Sequence, residues 1–260
     1  MPSLETFLIG RFMVFTLVLA RTSTLLMTAP IFSTQGLPRR VRALIAVAIS
    51  LLVTPVYLGT SLPPVEQIFD YARLLANEAL TGLLLGLSVT IMFSGIQVAG
   101  QIVSQMSGLS IAAVFDPAFE EDASVFSQLF YFVTMAVFVA VGGHRLVTEA
   151  LLDTFAAAPP GHAMLGSNFV EVLTNIATQS FSLGIKAAAP LLTALLIANL
   201  VLGLISRTLP QINVIAVGFG VNSLLALGVL FLSIGAAAWT FQGPTLDVLQ
   251  QIGAVIGTGS

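Results

Sequence analysis

Cysteine is absent from this 260-residue chain, which removes disulfide frameworks, thiolate nucleophiles and Cys-ligated metal centres. Charge is nearly as scarce: nine Lys and Arg with twelve Asp and Glu make up 8% of the residues, for a net charge of −3. With no general basic surface, nucleic acid is not an expected partner. Two histidines occur, His144 after Gly142-Gly143 and His162 in a Pro-rich stretch, and neither has a second His, Asp or Glu at ligand spacing on one helix face. No metal site is expected from them. The sequence holds no H-E-x-x-H, G-x-S-x-G or P-loop pattern, so neither a bound cofactor nor an intramembrane enzyme is implied.

What the chain does have is apolar length. It is 57% hydrophobic with a mean hydropathy of +1.01, more than a soluble protein of this size could hide. The expected fold is all-α and polytopic, built of membrane-type helical hairpins. A spanning helix needs roughly 20 mostly apolar residues, and six stretches qualify: near Phe7 to Phe32, Val41 to Leu58, Leu74 to Val98, Val125 to Val141, Ile176 to Ser206 and Ile212 to Phe241. Glu5, with no basic cluster ahead of the first apolar run, argues against a cleaved signal peptide. Arg39, Arg40 and Arg42 form the densest basic cluster, which the positive-inside rule assigns to the cytoplasm. Six alternating spans would then put both termini outside.

Three charges interrupt the apolar stretches: Arg21, Glu78 and Lys186. A charge at the bilayer centre costs about 2.5 to 3.5 kcal/mol even on the lenient insertion scale, so these side chains should face protein or water. Arg21 could bind a solute, pair with Glu78 or face an aqueous lumen, and pairing is the preferred reading. Lys186 with Pro190 has the look of a broken transporter helix, but the plainer reading, a lysine snorkelling at the interface, is narrowly preferred. Glu78, Gly82, Gly86, Thr90 and Ser94 are spaced by four, which at about 3.6 residues per turn makes one small and polar stripe. The stripe could pack within this chain or against another subunit. Upstream, Glu66, Asp70, Arg73 and Asn77 share one polar helical face.

The segment Gln101 to Phe126 breaks the pattern. A charge-free apolar run containing Met106 and Gly108 leads into Asp116-Pro117 and then Glu120, Glu121 and Asp122. Non-helical backbone is tolerated in a membrane only where protein buries it or water reaches it. As a surface loop, residues 106–122 would expose Ile111, Val114, Phe115 and Phe119. As a plug they make sense: Gly108 allows the bend, Pro117 holds Asp116 extended, and the phenylalanines supply bulk. Pro159-Pro160-Gly161-His162 marks the longest connection, and the main internal boundary is expected after it, giving parts 1–168 and 169–260.

Taken in order, several of these residues are similar to a known family. Arg21, Pro30, Pro38 and Arg42, then Glu78-x-x-x-Gly82-x-x-x-Gly86, Gln105-Met106-x-Gly108 with Asp116-Pro117, Gly143-His144, and Gly203 with Arg207-x-x-Pro210-Gln211-x-Asn213 resemble the FliR family of flagellar export-gate subunits. The resemblance covers almost the whole chain. It implies a non-enzymatic subunit of the gate that passes unfolded flagellar proteins. The complex would assemble in the bacterial inner membrane, within the flagellar basal body, with several copies each of FliP and FliQ and next to FlhB. It implies that 1–168 is FliP-like and 169–260 is a FliQ-like hairpin, with Arg207, Pro210, Gln211 and Asn213 at its cytoplasmic tip. Arg21, Glu78, Gly82 and Gly86 would serve subunit packing. Met106, Gly108, Ile111, Val114, Phe115, Asp116, Pro117 and Phe119 would form the pore plug.

A secondary transporter using Arg21, Glu78 and Lys186 is the alternative from a different class. The plug reading predicts that shortening Ser110 to Asp122 raises leakage of small solutes while assembly proceeds. Unchanged ion conductance in that deletion would remove the plug from the account.

Overall fold

The computed structural model describes residues 4–33, 38–65, 67–108, 124–163, 169–209, 211, 213 and 217–233. Among them there is no strand, and the fold is all-α. The helices are α1 (Leu4–Thr28), the short α2 (Pro30–Ser33), α3 (Arg39–Val53), α4 (Ile68–Ser107), α5 (Val125–Ala140), α6 (Gly143–Ala157), α7 (Phe169–Thr208) and α8 (Val217–Ser233). A 3-10 turn, Thr54–Tyr57, follows α3 at Pro55.

Each of the six expected apolar stretches contains helix among the described residues, but they are not six equal spans. α1, α3 with its following turn, α4 and α7 are each long and apolar enough to cross a membrane. The fourth stretch is one arm of a bent pair, since α5 and α6 meet at 67°. Gly142 supplies the left-handed residue at that bend, with φ of 83°. α8 is shorter than a span over its described residues. α4 and α7 overrun the lengths expected from hydropathy, at 40 residues each. In α4 the polar stretches Asp70 to Asn77 and Gln97 to Gln105 end the apolar run without ending the helix, because Gln and Arg are good helix formers. Pro190 lies inside α7 and does not stop it. Its ring removes the N–H that would have bonded the Lys186 carbonyl and crowds that carbonyl, yet the helix continues past it to Thr208. Pro190 and Lys186 are both exposed.

The chain folds as two compact units. The first combines the chain up to Ile91 with Gly142–Ile176. Its core follows one face of α1, where Val14, Leu17, Val18, Arg21, Leu25 and Leu26 are buried at helical spacing. α3 turns Ala46, Ser50 and Val53 inward. Gly82 and Gly86 let α4 approach α1 so closely that a Cβ at Gly82 would overlap the Arg21 carbonyl and the Thr24 hydroxyl, and one at Gly86 the Thr28 hydroxyl. Thr90 fixes the same crossing by donating to the Thr28 carbonyl at 2.8 Å. The first four members of the small stripe therefore face α1 of this same chain or its ion-pair partner.

The second unit combines Met92–Val141 with Ala177–Thr245. Its core brings Ile96, Ala99 and Val103 of α4 together with Phe126 and Phe130 of α5, Leu191 and Leu195 of α7, and Ala226 and Leu230 of α8. Gly95 and Gly184 bring the backbones of α4 and α7 into direct contact. Ser180 locks them: its hydroxyl donates to the Met92 carbonyl at 3.0 Å and accepts from the Gly95 N–H at 3.1 Å. α5 starts on Ser124, whose side chain caps the Ser127 N–H at 3.1 Å.

Candidate functional site

Among the described residues, the core of the first unit holds one pair of buried charges, Arg21 and Glu78. Arg21 on α1 and Glu78 on α4 are fully buried, and the Arg21 Nε donates to Glu78 Oε2 at 2.6 Å. α6 and the turn after it complete the shell. Arg21 Nη1 donates to the Thr154 hydroxyl at 3.2 Å, and Nη2 to the Ala158 carbonyl at 3.1 Å. The Thr154 hydroxyl in turn donates to the Leu151 carbonyl at 2.7 Å. The Phe155 ring lies under the guanidinium, 4.2 Å from Cζ to its centroid, which adds a cation–π contact. The other carboxylate oxygen, Oε1, accepts from the Gly161 N–H at 2.8 Å.

Such a centre can organise helices but has nothing to offer a solute. Desolvating two ions is repaid only when their geometry is good and the remaining polar atoms are satisfied. Here both carboxylate oxygens and all three guanidinium nitrogens have partners. Neither side chain reaches solvent. Of the roles open to Arg21 from the sequence, pairing with Glu78 is the geometry observed. Lys186, the third intramembrane charge, is exposed and belongs to the other unit.

Thr154, Phe155, Ala158 and Gly161 are not singled out by the sequence. The trace available was Gly161 after two prolines, which read only as a turn. Its φ of 87° is what aims its N–H at Glu78, a conformation that L side chains rarely adopt.

The other anticipated positions divide between the described residues and those beyond them. Met106 lies in the last turn of α4, and Gly108 ends that helix with φ of 82°, its N–H bonding the Gln105 carbonyl at 3.2 Å. Ile111, Val114, Phe115, Asp116, Pro117 and Phe119 lie outside the described residues. So does Pro210. Arg207 sits exposed in the last turn of α7, where a cation complements the helix C-terminus. Gln211 and Asn213 are exposed beyond it, and the Asn213 carbonyl accepts from the Val217 N–H as α8 begins. An unforeseen amide link joins α8, α7 and the end of α4: Asn222 donates to Asn199 at 2.7 Å, and Asn199 donates to the Met106 carbonyl at 3.1 Å.

Residues 12–247 match the profile of the family described as "Bacterial export proteins, family 1". The chain is similar to the flagellar biosynthetic protein FliR of Escherichia coli K12, with 32% identity over 77% of this chain and 76% of the relative. It is 30% identical to the FliR of Pectobacterium carotovorum over 89% of both chains. The Bacillus subtilis FliR is 26% identical over 96% of this chain and 98% of its own.

The turn at Gly161 generates a direct comparison. Gly161→Ala adds about 1 to 2 kcal/mol of left-handed strain, and its Cβ would press on Leu62 and Pro63 at 3.1 and 3.2 Å. Gly142 has a similar φ but nothing within 4 Å of an added Cβ. Thermal unfolding in detergent should therefore show a larger loss for Gly161→Ala than for Gly142→Ala. Equal losses would mean that the Gly161 turn does not position the Glu78 acceptor.

Proposed function

This chain belongs to the bacterial export protein family 1 and to the FliR proteins within it, and on that premise we propose that it is a non-enzymatic subunit of the flagellar type III export gate. It is a membrane-embedded component of flagellar export. The finer reading is that it forms part of the channel for unfolded flagellar proteins and helps to seal it. It does so in the inner membrane at the flagellar basal body, with several copies each of FliP and FliQ and in contact with FlhB.

One observation carries this reading beyond the family name. α4 and α7 are 40 residues each, about 60 Å at roughly 1.5 Å per residue, or twice a hydrocarbon core of about 30 Å. Each contains an apolar stretch long enough to cross a membrane, of which only 22% is buried in α7, against 56% in α4. Leu196, Ile197, Leu200 and Leu204 of α7 are more than half exposed, as are Leu224, Phe231 and Leu232 of α8. Lipid can cover only half of such a length, so protein neighbours are the natural cover for the rest. That suits a gate subunit packed among FliP and FliQ, with 1–168 as its FliP-like part and 169–260 as its FliQ-like hairpin. Residues 106–122 supply the seal in this reading, and Arg207, Pro210, Gln211 and Asn213 the cytoplasmic tip.

A secondary transporter would need Arg21, Glu78 and Lys186 to meet substrate. The first two are consumed by each other and by the α6 turn, and α7 runs unbroken through Pro190. Purification of the complex through this chain tests the proposal. FliP and FliQ should co-purify in fixed multiple copies, and loss of the chain should abolish filament export. A monodisperse lone subunit whose stability responds to a small solute would overturn it.

A further inference from the structure

Within the second unit, α4 and α5 form an open groove of about 310 Å³ lined by Ser94, Gln97, Val98, Gln101, Ser127, Gln128, Tyr131 and Phe132. Six of the eight carry hydrogen-bonding groups, and none is charged. The Ser127 hydroxyl is used, donating to the Gln97 carbonyl. The three glutamine amides and the Tyr131 hydroxyl make no hydrogen bond among the described residues. On a molecule whose outer surface is largely apolar, this groove does not suit lipid tails, because an amide without a partner in an apolar medium costs several kcal/mol.

We propose that this groove binds the main chain of an extended polypeptide, and that the occupant is the exported protein in transit; this rests on the export-gate reading above. Each glutamine amide offers both donors and an acceptor. A helix has already spent its backbone groups internally. An extended chain brings a free N–H and C=O at every residue. The spacing also fits. Gln97 and Gln101 are separated by about 6 Å along α4, close to the roughly 6.6 Å after which peptide groups on one side of an extended chain recur. Tyr131 and Phe132 add ring surface for passing side chains of any kind. Uncharged amides do not select by charge, so recognition would be independent of sequence.

The absence of cysteine makes the test clean. In cells with the complete export apparatus, Gln101→Cys is paired with an exported protein stalled by a non-unfolding C-terminal fusion and carrying single cysteines along its length. Cross-links should form at many substrate positions. Leu224→Cys, exposed on α8, should give none. Substituting Gln97, Gln101 and Gln128 together by Leu should slow export severalfold in gates that still assemble. Cross-links only to another membrane subunit, none at all while the substrate still stalls in the gate, or unchanged export in the triple variant would each overturn the groove assignment. Export that survives deletion of the whole chain would instead overturn the export-gate reading.

Discussion

Arg21 and Glu78 carry opposite charges where neither could stand alone, and the first unit is arranged to answer both. α1 brings the arginine, α4 the carboxylate, and α6 with its following turn the remaining hydrogen-bonding groups. The glycines of α4 serve the same arrangement. Without Gly82 and Gly86, α1 could not lie close enough for a 2.6 Å ion pair. Replacing a buried pair by apolar residues is often neutral or stabilising, so its value here lies in fixing which helix faces meet. In membranes the alternatives are not discriminated by the hydrophobic effect, and small residues and polar links must choose among them.

The second unit meets that need with neutral groups. Ser180 bridges α4 and α7 through two backbone groups, and Asn199 and Asn222 tie α7 and α8 to the end of α4. The Asn199 bond lands on the Met106 carbonyl, two residues before Gly108 ends the helix. The point at which α4 stops is thus held by side chains from two other helices. What these contacts leave outside is a long apolar surface on α7 and α8 and one polar groove between α4 and α5. The former is rich in exposed leucine and phenylalanine, and the latter in uncharged amide and hydroxyl groups.

Much of this was legible in the sequence. Apolar runs located every long helix, the cost of charge in hydrocarbon favoured the Arg21–Glu78 pairing over the other roles open to Arg21, and the four-residue spacing of Glu78, Gly82, Gly86 and Thr90 marked one close-packing face without saying whether it meets this chain or another subunit. Other features could not be read. The equality of six spans failed because hydropathy reports apolar length while helices continue through Gln, Asn and Arg. The bend at Gly142 and the aim of the Gly161 N–H depend on backbone angles that glycine permits and does not announce. Thr154, a threonine like many others in the chain, acquires its role only when α6 is set beside α1.

The central claim is that the Arg21–Glu78 pair acts as one unit in fixing α1 against α4. A double-mutant cycle with Arg21→Met and Glu78→Leu measures it most directly through the stability of the purified protein in detergent. Each single substitution strands a buried charge and should cost about 3 to 5 kcal/mol. The double variant should cost less than the sum of the two by roughly 2 kcal/mol or more. Additive losses would mean that the two charges are answered separately, and that the pair does not organise the fold.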